Sequence, residues 1–230
     1  MATIPYRTAL IVGAGPGISR SVARALAASG LRVGLAARNV EKLAGPTTEI
    51  AGKAFCVDAS DPAAVARLFK EVEAQLGEPD VVIYNASARV RGPLIDLDPQ
   101  DVRRSIEVSA FGGFLVVQEA ARRMIAHGRG AILLTGASAS VKGFAQSASF
   151  AMGKFALRGL AQSAARELGP KGIHVAHFLI DGAVRSATRP DSGDRTLDPD
   201  AIAQAYVDVL RQPRSAWSFE VDLRPWVETF

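Results

Sequence analysis

The sequence predicts an α/β fold, a doubly wound parallel sheet of about seven strands with helices on both faces. Three observations predict it. Short β-type runs alternate with longer helical patterns along all 230 residues. The first run ends in a glycine-rich turn that opens a helix. No linker or low-complexity segment interrupts the alternation, so residues 1–230 read as a single domain without internal repeats.

Each element has its own signal. Thr8–Val12 is an apolar run stopped by Gly13. Ile18–Ser29 places Ile18, Val22, Ala25 and Leu26 on one helical face and ends at Gly30. Arg32–Ala37 and Ala54–Val57 are the next strands, the latter stopped by Asp58. Asp61-Pro62, an N-cap followed by proline at the first helical position, starts a helix to about Leu76. Val81–Tyr84 is a fourth strand stopped by Asn85. Asp98-Pro99 opens a helical region that runs to His127-Gly128, with a break expected near Gly112-Gly113. Ala131–Thr135 is the fifth strand, and Ser147–Leu168 a long helix ended by Gly169-Pro170. Ile173–Ile180, Pro199–Leu210 and Phe219–Leu223 read as strand, helix and strand. Arg185–Asp198 has no periodicity and is long enough to be a functional loop.

Composition narrows the class. The chain is 48% hydrophobic and 22% charged, the balance of a soluble globular protein. Its 27 basic and 23 acidic residues leave a net charge of only +4. Basic residues fall in pairs such as Arg103-Arg104 and Arg122-Arg123, which argues against a nucleic-acid partner. No apolar run approaches the ~20 residues of a membrane span, and the N-terminus is not signal-like. No membrane partner and a cytoplasmic location are expected. Cys56, the one cysteine, sits in an apolar run and is expected to be buried and inert. His127, His174 and His177 lack metal-ligand spacing, so no metal is expected; the last two should face opposite sides of their strand.

The chemistry starts at Gly13-Ala14-Gly15-Pro16-Gly17-Ile18, between the first strand and the first helix. Glycines there let backbone N–H groups approach a phosphate, and the helix N-terminus adds a positive dipole end. The spacing is Gly-x-Gly-x-Gly rather than the usual Gly-x-Gly-x-x-Gly of dinucleotide sites. About 20 residues further on stands Arg38, where an acid would hold the 2′-hydroxyl of NAD; an arginine suits a 2′-phosphate, so NADP(H) is favoured over NAD(H). Asp58 after the third strand either accepts from the adenine amine or caps a turn, or does both. Asn85 after the fourth strand lies on the same ligand-binding edge.

With these residues the chain resembles the short-chain dehydrogenase/reductase family over essentially its whole length. Gly13–Ile18 is similar to the family's TGxxxGIG turn, with Val12 in place of Thr. Asn85-Ala86-Ser87 is similar to NAG. Phe150-Ala151-Met152-Gly153-Lys154 falls where YxxxK belongs, and Asp181 to Ser186 is similar to PGxxxT. The resemblance implies a Rossmann-like sheet, a homodimer or homotetramer, and hydride transfer between NAD(P) and a carbonyl or alcohol of a small-molecule substrate. It also implies that Gly13, Gly15, Gly17, Ile18, Arg38, Asp58, Asn85, Ala86, Lys154 and Ser186 contact the cofactor.

In that family a Tyr, a Lys, a Ser and an Asn carry the reaction. Lys154 is kept. The Tyr position is Phe150, whose ring has no ionisable proton. The Ser position is Ala137, with Ser138 one residue later, and the Asn position is Ser109. Such a tetrad suits a conjugated acceptor, which spreads developing charge that Lys154 and a hydroxyl can stabilise. The alternative is a non-catalytic NADP(H)-binding sensor or subunit; a scaffold without cofactor fits the intact glycine turn less well. Ser147 and Ser149 read as helix N-caps, and Lys154 as ribose-binding rather than a snorkelling surface lysine. The pocket is expected to draw on Arg89, Val90, Ser140, Val141, Phe144 and the 185–198 loop, with Arg89 and Arg91 hinting at a polar or anionic ligand. Trp217 or Trp226 is expected either at a subunit contact or packed within the chain.

Overall fold

The computed structural model describes residues 3–191 and 193–228. Its sheet has seven parallel strands, β1 (Thr8–Val12), β2 (Arg32–Ala37), β3 (Lys53–Cys56), β4 (Val81–Tyr84), β5 (Gly130–Thr135), β6 (Ile173–Ile180) and β7 (Glu220–Leu223). They lie in the order β3-β2-β1-β4-β5-β6-β7, so the winding reverses between β1 and β4. That reversal opens a crevice at the strands' carboxyl ends.

The helices are α1 (Ile18–Ala28), α2 (Ala44–Glu49), α3 (Pro62–Leu76), α4 (Pro99–Ile106), α5 (Gly112–His127), α6 (Ala148–Leu168) and α7 (Pro199–Leu210). Every residue of β1, β4, β5 and β6 is buried, as continuous apolar strands covered on both faces should be. One apolar layer joins the sheet to α3, α5 and α6 through Leu68, Val116 and Leu157. The other joins it to α1 and α7 through Val22, Leu26, Tyr206 and Val207. Each such buried side chain contributes about 1.5–3 kcal/mol of apolar transfer.

Asp61, Asp98 and Asp198 each accept a backbone N–H at the start of α3, α4 and α7, with proline next in the chain. Helix α1 has Gly17 at that position and no side-chain cap. The expected break before Gly112 is a π-helical turn, Glu107–Phe111, joining α4 to α5. Helix α2 arises where the pattern predicts no element, because Gly45-Pro46 masks its first turn.

Two expectations are corrected. Cys56 is exposed, not buried: it ends β3, the edge strand, where only Phe55 is fully covered. Ser147 and Ser149 do not cap α6 with their side chains. The Ser147 hydroxyl accepts from Arg89 (2.7 Å), and that of Ser149 bonds both the N–H and the carbonyl of Val90 (3.1 Å each). Trp217 stacks on His174 within the chain, ring centroids 4.7 Å apart, whereas Trp226 is 80% exposed. Among the described residues no helix is long and apolar enough to cross a membrane, and no cluster of candidate metal ligands occurs.

Candidate cofactor and active site

Three connected spaces run along the carboxyl ends of the strands, and Asn85 lines all of them. The first, of about 340 Å³, lies between β1, β2 and β3 and is lined by Gly13, Gly15, Arg38, Asn39, Lys42 and Asp58, with Ala86 at its inner wall. The second lies over the start of α1, between Gly15, Gly17, Ile18 and Ser186. The third, of about 360 Å³, is bounded by Ser138, Phe144, Phe150, Lys154 and two arginines.

The glycine turn is held from both sides. The Gly13 and Ala14 N–H groups donate to the Ala36 carbonyl at 2.9 and 3.0 Å, tying the turn to β2. The Asn85 amide donates to Ser19 Oγ (2.8 Å) and to the Gly13 carbonyl (3.3 Å), tying it to β4. Gly13 has φ of +83°, and a Cβ there would lie 2.2 Å from the Ala86 nitrogen, so the position demands glycine. A Cβ on Gly15 or Gly17 would meet no protein atom. Those two glycines face open space beside the uncapped N-terminus of α1, whose free N–H groups and dipole favour an anion. The residues present therefore fit an anionic group such as a dinucleotide's phosphates.

The end of the cleft between β1, β2 and β3 carries two cations. Arg38 and Lys42 are exposed at the mouth, and Cys56 Sγ contacts the Arg38 carbonyl at 3.6 Å. Asp58 makes the turn contacts expected of it, accepting from Ser60 N and Oγ (3.0 and 2.6 Å), and also borders the cleft. Those bonds, and more weakly the Arg38 charge, hold its carboxyl below the usual range. Lys42 was not singled out in the sequence. It lies in the short turn Glu41–Leu43 that follows the loop after β2, and no periodic signal in the sequence marks it.

At the other end Lys154 is only 3% exposed, which rules out a surface lysine. Its Nζ donates to the Thr135 carbonyl at 2.7 Å, and burial lowers its pKa to about 8. Phe150 lies one turn earlier on the same helix, its ring centroid 5.9 Å from Lys154 Nζ and 5.0 Å from the Arg89 guanidinium carbon. Ser138 sits in the turn Ser138–Ser140 and lines this space. Ser140 does not; its hydroxyl accepts from Ala137 N (3.1 Å). Val90 and Val141 likewise stand outside the lining, whereas Arg89, Phe144 and Arg189 belong to it. Ser109 is fully buried in the π-helical turn. It accepts from the Ala88 N–H (3.0 Å), donates to the Ala88 carbonyl (3.3 Å), and does not line the cleft.

No tyrosine lines the cleft among the described residues. Tyr84 is buried with its hydroxyl on the Val108 carbonyl, and Tyr206 is buried with its hydroxyl 2.7 Å from Thr135 Oγ1. Burial raises the pKa of both. His177 lies beneath Gly136, fully buried, with Nδ1 3.0 Å from Glu220; burial lowers its pKa against the opposing pull of Glu220.

A strand-order reversal, a glycine turn on β1 and a buried lysine after β5 define a dinucleotide-dependent oxidoreductase scaffold. The chain belongs to the short-chain dehydrogenase family, whose pattern it matches over residues 7–194. It is similar to a short-chain dehydrogenase from Rhodopseudomonas palustris, at 38% identity and a TM-score of 0.84, covering 96% of this chain and 99% of that one. It is also similar to a metagenomic short-chain oxidoreductase in complex with NADP, at 29% identity and a TM-score of 0.86, covering 99% and 100%. A short-chain dehydrogenase/reductase of Armillaria gallica is 34% identical over 182 residues, 75% of this chain and 69% of that protein.

Proposed function

We propose that this chain is an NADP(H)-dependent oxidoreductase with an altered catalytic set, which reduces a small conjugated carbonyl substrate. The observation that carries the reading is the pairing of Lys154 with Phe150: a buried ammonium stands beside a ring that offers no proton, in a cleft without a tyrosine hydroxyl. Arg38 and Lys42 support NADP(H) over NAD(H), because a 2′-phosphate would meet two cations there.

When bound, the nicotinamide supplies or takes up the hydride. The chain's own residues do the rest. Gly15–Ile18 present backbone N–H groups to the phosphates, and Asn85 keeps that turn rigid. The Lys154 ammonium spends one N–H on Thr135 and keeps two for a ribose hydroxyl and for developing negative charge. Ser138 offers a hydroxyl to the substrate oxygen, and Ser87 lines the same space. Ser186 faces the glycine turn from the far wall. In this reading Ser109 holds the Ala88 backbone rather than a water. A conjugated acceptor needs less from a proton donor, since its charge is spread over several atoms.

The exposed Phe111, Phe114, Met152 and Phe155 on the π-helical turn, α5 and α6 support a homodimer or homotetramer, as does Trp226. Sedimentation would show a single monomeric species if this is wrong. The reaction itself is tested by calorimetric titration of NADPH and NADH, followed by NADPH consumption with ketones, enones, quinones and flavins. Tight NADPH binding with turnover of an enone or quinone is expected. NADPH binding without turnover on the whole panel would leave a cofactor-binding sensor or subunit instead.

A further inference from the structure

We propose that the reacting end of the cleft takes a substrate bearing an oxyanion, carboxylate or phosphate, gripped between Arg89 and Arg189. The inference rests on reading that space as the substrate site. The side chains lining it include the cations of Arg89, Arg189 and Lys154 and not one carboxylate. A concave space with charges of one sign and apolar walls concentrates the opposite ion.

Among the described residues several arginines form no ion pair, Arg38 and Arg91 among them, but Arg89 and Arg189 go without one while lining this concave space. Arg20, Arg103, Arg123, Arg129 and Arg158 each meet a carboxylate within 3 Å. Among the described residues neither Arg89 nor Arg189 forms an ion pair. Arg89 rests on neutral partners, the Ser147 hydroxyl at 2.7 Å and the face of Phe150. It follows β4, while Arg189 comes from the segment after β6, so the two reach the space from different walls. Reciprocal backbone hydrogen bonds with Ser186, 2.9 and 3.0 Å, fix Arg189 in its turn.

The charges of Arg91 and Arg189, after burial, lower the pKa of Arg89, as expected where cations gather without a counter-ion. A planar guanidinium offers paired N–H groups that match either oxyanion. Phe144 and Phe150 supply apolar walls for the body of such a substrate. Phe150 has a second effect here: as a bare ring it seats the Arg89 guanidinium, which ties the departure in the catalytic set to the charge of the substrate.

The test is calorimetric titration of cinnamate, its neutral isostere cinnamamide, and phenyl phosphate, with and without saturating NADP. Cinnamate or phenyl phosphate should bind ~10-fold or more tightly than cinnamamide. The stronger of the two identifies the oxyanion. Arg89→Gln and Arg189→Gln should each cut that anion's affinity ~10-fold while leaving cinnamamide unchanged. Arg89→Lys, which keeps the charge but loses the fork, should fall between. Arg91→Gln, outside the lining, should change nothing.

Equal binding of the anions and cinnamamide, or anion affinity indifferent to both arginines, overturns the proposal. NADPH titrated in parallel separates the two readings. Intact NADPH binding without anion preference removes this inference alone. Arginine-dependent anion binding without NADPH binding keeps it and removes the dinucleotide reading.

Discussion

The two ends of the cleft are built on different principles. The end between β1 and β4 is made of backbone: Gly13, Ala14, Gly15 and Gly17 shape it, and Asn85 and Ala36 pin it. The end between β4, α6 and the segment after β6 is made of side chains, with Lys154, Phe150, Arg89 and Arg189 converging from separate elements. Backbone geometry recognises what every dinucleotide has in common, its pyrophosphate. Side chains decide what else enters and how it reacts. Departures from the family pattern touch both ends, Val12 at the glycine turn and Phe150 at the other, but only the second removes an ionisable group.

The sharpest way to break that contrast is Phe150→Tyr. A phenol beside Lys154 should add the missing acid and raise reduction of simple ketones by ~10²–10⁴, read as NADPH consumption. No gain would mean that position 150 does not address the reacting atom. Arg38→Gln acts at the opposite end. It should weaken NADPH by ~10–100-fold and leave NADH nearly unchanged, because only the 2′-phosphate loses charge-assisted hydrogen bonds. Equal losses for both cofactors would take Arg38 out of that role.

The pH profile tests Lys154 without altering the cofactor cradle. Its charged form persists below a pKa of about 8, so turnover should decline by ~10-fold per unit as pH rises beyond that value. Lys154→Met should be slow and flat across the same range. The linked stability runs the other way. The folded-state pKa is depressed from 10.5 to about 8, so the unfolded chain holds the extra proton between those values and folding stability rises with pH there.

The smallest effects separate two glycines two residues apart. Gly13→Ala forces a Cβ onto Ala86 in a left-handed backbone and should cost about 1–3 kcal/mol in a denaturant melt. Gly15→Ala meets no protein atom, so its melt should be unchanged while NADPH affinity falls ~10-fold from crowding of the phosphate. Identical behaviour of the two variants would mean that the open space over Gly15 is not a binding surface.

The sequence by itself determined the sheet, the glycine turn between β1 and α1, and the position of the lysine. Strand bounds such as Arg32–Ala37, Val81–Tyr84 and Ile173–Ile180 were legible because apolar runs and their glycine, aspartate or asparagine stops are local signals. The turn at Gly13–Ile18 was legible for the same reason. Only the tertiary structure decided what the side chains around position 150 do. Arg89, Phe150 and Arg189 lie far apart along the chain, and nothing in their local spacing says that one cavity collects them. The hydroxyls of Ser147 and Ser149 look like helix caps until the β4–α4 segment arrives to bond them. Cys56 looks buried until β3 proves to be the edge of the sheet. Periodicity reports which face of an element is apolar; which neighbour covers that face, and which polar groups meet across it, depends on contacts formed only when the layers assemble.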